Sequence, residues 1–412
     1  MECPKRGALA GRPDEAMVEI LARVPARSVY RSKCVAKAWR DLIDDPLNRK
    51  KLPQTLEGFF FKDKPSYVRD GGDAEHFVFI NFLSRSVPLD IDPCFSFLTK
   101  RAEIENLFFE DSCNGFLLFY HVPKSNSFDL SYIVCNPATK QWERVSTCSC
   151  CPPVADCSQW YTFLAFDPAV SSHFHLLNFW IEVLDEGVEP LEDQVFLFSV
   201  CAYSSETRTW SRSQTNLNEQ GQLEGWRQGS LDYMGPQHAY VNGILHLIVE
   251  YKGQDQIVAL DVQGKTKRII TLPALAEGRR WKFIGYIGQS QGRLHYLNND
   301  VNAHGHKKSY ELSIWVLQDY DTQEWVLKDS VSFLKLFGKM SCTSGRSDFF
   351  VVAIHQDCNV IFILQPRNRL IAYDMDHKEV SVIATFEHEK WDAKIASYIP
   401  YFSESPALTN KL

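Results

Sequence analysis

The sequence has no long apolar run. Its longest apolar stretches, such as residues 195–203 and 360–364, are well short of the roughly 20 residues that cross a bilayer. No apolar core precedes Asp14 and Glu15, so a secretory signal is not expected, and no Asn-x-Ser/Thr sequon occurs. We therefore predict no membrane crossing and no export.

The sequence also has no recognisable disulfide framework or zinc motif. Its 12 cysteines are spread through 412 residues, unlike those of a small disulfide-bonded domain. The densest group, Cys148, Cys150, Cys151 and Cys157, does not form the two matched C-x2-4-C pairs of a structural zinc site. We interpret it as a loop with free or incidentally close thiols. We predict no metal and no cofactor, and a reducing compartment, the cytoplasm or the nucleus.

No strong excess of positive charge is present. The net charge of −7 gives no reason to expect nucleic-acid binding, and the basic stretches at 279–282 and 304–308 are interpreted as solvated loops. The charge is unevenly distributed, however. Residues 1–50 contain 11 Lys and Arg against 7 Asp and Glu, a net +4, whereas the remaining residues sum to −11. A basic segment therefore precedes an acidic body.

The basic segment has a helical pattern. Pro13 suits a first helical position, Asp14 and Glu15 suit the positive end of the helix dipole, and apolar residues recur at helical spacing over 17–24 until Pro25. Ser28 is predicted to cap a second helix that runs through Cys34. A third helix carries Val35, Trp39, Leu42 and Ile43 on one face and ends before Pro46.

Three helices in about 35 residues cannot bury enough apolar surface to be stable alone. Their apolar residues should therefore contact either a partner protein or the rest of the same chain. The periodicity by itself leaves both interpretations open.

The segment PDEAMVEILARVPARSVYRSKCVAKAWRDLI at 13–43 resembles a plant F-box over nearly the whole motif. The resemblance implies docking on the Skp-type adaptor of a cullin ubiquitin ligase. The implied adaptor-binding residues are Pro13, Ile20, Leu21, Val24, Pro25, Val29, Cys34, Val35 and Trp39. Basic side chains that would suit the acidic adaptor of that family are Arg23, Arg27, Arg31, Lys33, Lys37 and Arg40.

Three positions depart from the F-box pattern. Arg12 and Ala16 stand where the family usually has leucines, and Ala36 replaces a serine that could cap the third helix. Loss of such a cap costs about 0.5 to 2 kcal/mol. We therefore expect these departures to weaken adaptor binding.

After residue 55 the pattern changes to short apolar runs separated by Gly, Asn, Asp and Pro, which is typical of an all-β domain. Strands are predicted at 115–120, 132–135 and 141–145, with a turn at 136–139, and similar groups recur downstream. Aligning the last strand of each unit places five residues in register, at gaps of 68, 57, 58 and 55: Trp142, Trp210, Lys267, Trp325 and Val380. Asn81 and Val87 extend the alignment to a sixth unit.

This period is close to the ~50 residues of kelch-type propeller blades. We predict a mainly β protein with a kelch-like β-propeller of about six blades, because such blades need neighbours to cover both faces. A two-sheet sandwich is the alternative.

Residues 111–118, 134–142 and 398–401 are similar to the F-box-associated, kelch-like domain of plant F-box proteins. The predicted domains are a helical F-box at 1–50 and the propeller at 55–405.

Two motifs with catalytic associations lack the required context. The G-x-S-x-G at 288–292 leads directly into a predicted strand, whereas a nucleophile elbow leads into a helix. Gly264-Lys265-Thr266 has no first P-loop glycine, because Ala259 occupies that position.

Aromatic residues predicted in or beside loops are Trp160, Tyr161, Trp226, Tyr233 and Trp281. Each is more readily explained as core than as a binding residue.

The resemblance implies a non-catalytic, substrate-recognition subunit of an SCF-type (Skp-cullin-F-box) ubiquitin ligase. Its expected partners are a Skp-type adaptor, a cullin held through that adaptor, and an unknown protein substrate. Two alternatives remain open: a propeller hydrolase or oxidase with a helical cap, and a carbohydrate-binding propeller.

Overall fold

The computed structural model describes the following ranges: 13–24, 26–49, 51–53, 55–63, 76–82, 91–101, 103–104, 106–123, 130–148, 160–183, 196–213, 226, 237–251, 254–273, 285–304, 307–338, 349–365, 369–386 and 395–411. The elements of these ranges are four N-terminal helices, 23 strands and two further short helices, α5 (Ser96–Thr99) and α6 (Phe333–Phe337). No helix in these ranges is long and apolar enough to cross a membrane.

The N-terminal helices form a small unit with its own core. They are α1 (Pro13–Leu21), α2 (Ala26–Ser32), α3 (Lys37–Asp44) and α4 (Pro46–Arg49). Helix α2 begins two residues before the predicted cap Ser28, and α4 was not predicted. The buried apolar residues of the unit are Val18, Leu21, Val29, Ile43 and Leu52. The predicted helical periodicity is thus realised as one shared apolar interior.

The strands form six antiparallel sheets. Blade 1 contains β1 (Gly58–Asp63), β2 (His76–Asn81) and, from the other end of the chain, β23 (Ile395–Tyr398). Blade 2 contains β3 (Leu107–Cys113), β4 (Phe116–His121), β5 (Ser131–Asn136) and β6 (Gln141–Ser146). Blade 3 contains β7 (Trp160–Ala165), β8 (His175–Val183), β9 (Phe196–Ser204) and β10 (Thr209–Arg212). Blade 4 contains β11 (His238–Val241), β12 (Ile244–Tyr251), β13 (Gln254–Leu260) and β14 (Thr266–Thr271). Blade 5 contains β15 (Tyr286–Ser290), β16 (Arg293–His304), β17 (Lys307–Asp319) and β18 (Glu324–Ser332). Blade 6 contains β19 (Phe350–Ile354), β20 (Val360–Gln365), β21 (Arg369–Asp374) and β22 (Glu379–Thr385).

Apolar side chains fill every gap between neighbouring blades. Phe119 of blade 2 packs in one cluster with Phe60 of blade 1, and Phe362 of blade 6 packs in another with Phe59 of blade 1. Four further clusters join blades 2 and 3, 3 and 4, 4 and 5, and 5 and 6. Each blade therefore buries both faces, and the six sheets close into a β-propeller, as predicted. The sandwich alternative is wrong.

The two ends of the chain close the ring together. Strand β1 pairs with β23 from Gly58↔Tyr398 to Phe61↔Ile395, so the C-terminal strand is the inner strand of blade 1. The chain then continues across blade 2. The Asn136 side-chain amide donates to the Tyr401 carbonyl at 2.7 Å, and the Trp142 backbone pairs with Asn410. Contacts of the last residues thus extend beyond the predicted boundary at 405.

The predicted repeat alignment coincides with equivalent structural positions. All five aligned residues are the second residue of an outer strand: Trp142 in β6, Trp210 in β10, Lys267 in β14, Trp325 in β18 and Val380 in β22. The turn before four of these strands places its last residue in the left-handed region: Lys140, Arg208, Gln323 and Lys378. In the sixth unit, Asn81 ends β2, and Val87 lies outside the described residues.

Candidate partner-binding sites

The helical unit exposes part of the predicted adaptor-binding set. Ile20, near the end of α1, is 60% exposed, and Val35, in the turn between α2 and α3, is 68% exposed. Cys34 beside Val35 is exposed as well. Backbone hydrogen bonds from Cys34 to Arg31 (3.0 Å) and from Val35 to Ser32 (3.1 Å) hold that turn. Exposed apolar side chains of this size on a small helical unit indicate a protein-binding surface.

The other predicted members occupy different environments. Leu21 and Val29 are each 4% exposed and lie in the helical core, so in the free chain they support the surface from inside. Val24 and Trp39 are half-buried and pack against that core. Pro13 is the first residue of α1, but its side chain and the whole of Pro25 lie outside the described residues. Sequence periodicity did not separate the core face from the outer face.

The predicted basic residues are divided in the same way. Arg31, Lys37 and Arg40 are exposed. Lys33 instead turns inward and forms an ion pair with Asp44 at 2.8 Å. The Arg27 side chain lies outside the described residues. The basic character of the unit is therefore displayed mainly by α3 and the end of α2.

Two surface details of this unit were not predicted. Arg23 pairs with Glu19 at 2.7 Å across one turn of exposed helix. Leu47 on α4 is a further exposed apolar residue. Leu47 was missed because α4 is only four residues long and follows Pro46, so no helical period marked it.

The propeller has a central channel between its six inner strands. A cavity of about 130 Å³ occupies it, and every blade contributes to the lining. One lining residue from each of blades 1 to 6 in turn is Ser397, Ser112, Leu164, Ala239, Gly288 and Ile354. A wider cavity of about 260 Å³ lies at the channel mouth, where the first and second strands of the blades connect. Residues of the mouth include Asn114, Asp167, Tyr240, Gln289, Gln356 and Tyr401.

Most of the side chains that line the mouth are polar and uncharged, and Pro168, Ile399 and Pro400 add an apolar part. Side-chain amides and phenols dominate the lining, and Asp167 is the one carboxylate among its described residues. Burial raises the pKa of the Tyr240 phenol well above its usual value. Such groups donate and accept hydrogen bonds without a strong charge preference. The mouth is therefore suited to binding a polar segment of a partner.

A second carboxylate near the channel holds blades together. Asp111 of β3 accepts a hydrogen bond from the Leu164 backbone amide of blade 3 at 2.8 Å. Its other oxygen accepts from the Ser112 amide at 2.7 Å and lies 3.1 Å from His238 Nε2 of blade 4. Because both oxygens are used, Asp111 is a structural link between three blades.

Hydrolysis of glycosides typically uses two carboxylates facing the substrate, an arrangement that the described lining does not contain.

The G-x-S-x-G segment has the predicted hairpin structure. Ser290 ends β15, and the turn at Gln291 and Gly292 leads directly into β16, not into a helix. Ser290 is fully buried, and its hydroxyl has no hydrogen-bond partner within the described ranges. His295 contacts the carbonyl of Arg293 and the ammonium of Lys328. Ser290 therefore lacks the exposure that a nucleophile requires.

The remaining predictions have mixed outcomes. Gly264 lies in the turn between β13 and β14, as expected for a strand connection. Within the described ranges, no group of three or more His, Cys, Asp or Glu residues could hold a metal ion. Cys148 is disulfide-bonded, so a free thiol, one of the two forms expected for this cluster, is wrong for that residue. Cys150, Cys151 and Cys157 lie outside the described residues.

The aromatic residues predicted in or beside loops are largely structural. Trp226 is buried in the cluster between blades 3 and 4, and its indole donates to Thr266 Oγ1 at 3.1 Å. Trp160 and Tyr161 begin strand β7 and are half-buried. Tyr233 and Trp281 lie outside the described residues. None of the three described aromatics is freely exposed for stacking on a sugar ring.

Comparison with known proteins supports both parts of this architecture. The family model described as "F-box domain" matches residues 13–51, and the model described as "F-box protein At3g26010-like, beta-propeller" matches residues 83–404. The chain is 25% identical over 380 residues to "F-box protein At5g49610" of Arabidopsis thaliana, which covers 89% of this chain and 91% of that protein. It is 22% identical over 408 residues to "F-box protein At5g07610" of the same organism, covering 91% and 86%.

A structural likeness extends to an α-L-arabinofuranosidase, Arb93A, from Fusarium graminearum. It has 10% identity, a TM-score of 0.39 and covers 80% of this chain and 85% of that chain. Similarity at this level carries no argument about activity. The matched family model, in contrast, covers most of the chain. An exposed apolar helical surface, a six-bladed propeller and the two family-model matches lead to one conclusion: the chain belongs to the family of F-box proteins with an At3g26010-like β-propeller.

Proposed function

We propose that this protein is the substrate-recognition subunit of an SCF-type ubiquitin ligase. Its helices bind a Skp-type adaptor, which connects the chain to a cullin, and its propeller binds a protein substrate for ubiquitination. The F-box family typically acts as a non-catalytic adaptor. The chain then contributes proximity, since holding a substrate beside the ubiquitin carrier raises their effective concentration.

One observation carries the adaptor-binding part of the proposal. Ile20 and Val35 are large apolar side chains that remain mostly exposed on a unit whose residues match an F-box domain. Burying them against a partner removes apolar surface from water, which favours association. The exposed basic residues Arg31, Lys37 and Arg40 would add charge complementarity to an acidic adaptor.

The test is binding of the intact chain to a purified Skp-type adaptor. Ile20→Asp combined with Val35→Asp should weaken binding about 100-fold or more, because two charges would be buried without partners. Val170→Asp is the matched control, since Val170 is 72% exposed on the propeller. Leu21 is unsuitable for such a test because it is buried, and a charge there would unfold the helices. Absence of binding by the intact chain, or equal binding by the double variant, would overturn the proposal.

Recognition of a protein substrate by the propeller is supported by the polar cavity at the channel mouth. Affinity capture of the full chain with degradation blocked should identify bound proteins. A genuine substrate should be ubiquitinated in a reconstituted ligase by the wild-type chain but not by the Ile20→Asp, Val35→Asp variant. Substitution of Gln289 by Ala at the mouth should reduce capture of that substrate.

We also predict localisation in the cytoplasm or the nucleus, which imaging of the tagged chain would test.

A further inference from the structure

The ring of the propeller closes at a short seam. Strands β1 and β23 pair through four residues each, from Gly58↔Tyr398 to Phe61↔Ile395. The Glu57 backbone extends this pairing, because its amide donates to the Tyr398 carbonyl at 2.9 Å. On the other side its carbonyl accepts from the Phe82 amide at 2.9 Å. Glu57 therefore lies where the beginning of the propeller meets its end.

One side chain of the helical unit contacts both sides of this seam. The guanidinium of Arg49, at the end of α4, forms a short ion pair with the Glu57 carboxylate. The same guanidinium lies 5.1 Å from the ring centre of Phe402, which follows β23. Arg49 thus touches the residue just before the first strand and a residue shortly after the last strand.

Alternating charges connect this contact to the rest of the helical unit. Arg49 also pairs with Asp44 of α3 at 3.2 Å, and Asp44 pairs with Lys33, which follows α2, at 2.8 Å. These four charged groups face one another between the helices and blade 1. Because α2 and α3 flank the exposed turn at Val35, the network joins the proposed adaptor-binding surface to the seam.

Opposing influences act on the Glu57 carboxyl in this network. The side chain is nearly fully buried, and burial raises the pKa of its carboxyl above the usual value, while Arg49 and Lys33 act to lower it. Asp44, which is negatively charged, acts in the opposite direction. Removing Arg49 would leave a buried carboxylate without its closest cation, a strongly unfavourable arrangement. Local separation of β1 and β23 would expose Glu57 to water and remove this unfavourable free energy. Without Arg49 we therefore expect the seam to open more often.

We propose that Arg49 is a positioning residue. Its contacts with Glu57 and Phe402, here called the clasp, hold the seam of the propeller together and couple adaptor binding at the helices to closure of the ring. The coupling rests on the proposed function, whereas the clasp does not. A partner that stabilises the helical unit with Arg49 in place would also stabilise the β1–β23 pairing. A chain without this contact would retain both modules but lose the coupling between them.

Amide hydrogen exchange on the full chain, followed by mass spectrometry, tests the clasp without any partner. In Arg49→Met, which keeps most of the side-chain length, exchange in β1 and β23 should accelerate about tenfold, while β8 and β12 exchange as in wild type. Glu57→Gln should accelerate the same strands. Arg268→Met is the control, because it removes an exposed ion pair with Asp321 far from the seam. Unchanged exchange at the seam, or equal acceleration in every blade, would overturn the clasp.

Adding a purified Skp-type adaptor tests the coupling. Exchange in β1 and β23 should slow on binding in the wild-type chain and remain unchanged on binding in Arg49→Met. Unchanged seam exchange in a wild-type chain that binds the adaptor would contradict the coupling. Failure of the wild-type chain to bind would contradict the proposed function and the coupling, while leaving the result on the clasp intact.

Discussion

Trp210 of blade 3 donates its indole N–H to the backbone carbonyl of Ser146 in blade 2, at 2.8 Å. Trp325 of blade 5 makes the equivalent bond to Thr271 of blade 4, at 2.9 Å. Both acceptors are the last residue of an outer strand. A repeated tryptophan therefore fastens the outer strand of one blade to that of the preceding blade.

These two bonds predict small, independent contributions to stability. Trp210→Phe and Trp325→Phe should each lower the free energy of unfolding by about 0.5 to 1.5 kcal/mol beyond the packing change. The effects should add, because the two sites are two blades apart. Urea unfolding followed by circular dichroism would measure them.

Trp142→Phe is the matched control for this prediction. Trp142 occupies the equivalent position in blade 2, but its buried indole N–H has no hydrogen-bond partner among the described residues. Blade 1, which precedes it, has three strands in the described ranges. Trp142→Phe should therefore lose no hydrogen bond. Once the packing change is subtracted, a loss of stability as large as in the other two variants would refute the role of the indole bonds.

Helix α3 begins without a side-chain cap. Ala36 is the N-cap residue, with φ −158° and ψ 158°, and its methyl side chain makes no hydrogen bond to the first turn. Ala36→Ser should stabilise the helical unit by about 0.5 to 2 kcal/mol, since a serine hydroxyl can satisfy a free backbone amide there. Thermal unfolding would detect the gain. Ala38→Ser, inside the first turn, is the control and should give no gain; equal effects at both positions would contradict the capping argument.

Two buried histidines should make the propeller sensitive to acid. Burial lowers the pKa of both His246 and His295 to about 4, from a usual value of 6.5. His246 is held by Tyr320, with Nε2 3.0 Å from the phenol oxygen. The folded state thus favours the neutral imidazole at both positions. The unfolded chain binds protons first as the pH falls below 6.5.

The free energy of unfolding should fall as the pH is lowered. The stabilisation from each neutral imidazole is present above pH 6.5 and is lost as the pH falls towards 4. Between pH 7 and pH 4.5 each histidine should lower the free energy of unfolding by about 2 kcal/mol. His246→Gln should therefore lose less stability over this interval than the wild type, as measured by urea unfolding at each pH. His377→Gln is the control at an exposed imidazole whose pKa is raised by Asp374, so it should not reduce the loss. An identical loss in wild type and His246→Gln would contradict the prediction.

Local patterns predicted much of the fold because they reflect local chemistry. The alignment of Trp142, Trp210 and Trp325 identified equivalent outer-strand positions, since the turn before each of them ends in a residue with left-handed backbone conformation. The G-x-S-x-G segment was identified as a hairpin from the strand that follows it. Leu21 and Val29 show the limit of such patterns, because a helical period marks apolar positions without showing which of them face the core.

Contacts between distant parts of the chain account for the rest. Trp226 was interpreted as a core residue and is buried, but only the structure shows that it lies between blades 3 and 4, where Thr266 accepts its indole bond. Asp111 begins a segment that resembles the kelch-like domain, but nothing in the sequence indicated that it links three blades through Leu164 and His238. No local pattern contains the partner of such a residue.

The amino-acid sequence alone determined the two modules, their order and the repeat of six units, because helical period, strand alternation and turn residues are properties of short segments. Only the tertiary structure decided how the ring closes, with Gly58 paired to Tyr398 across nearly the whole chain. It also placed Arg49 of the helical unit on that seam. Pairing and ion contacts over such separations depend on the packing of all six blades, which no short segment encodes.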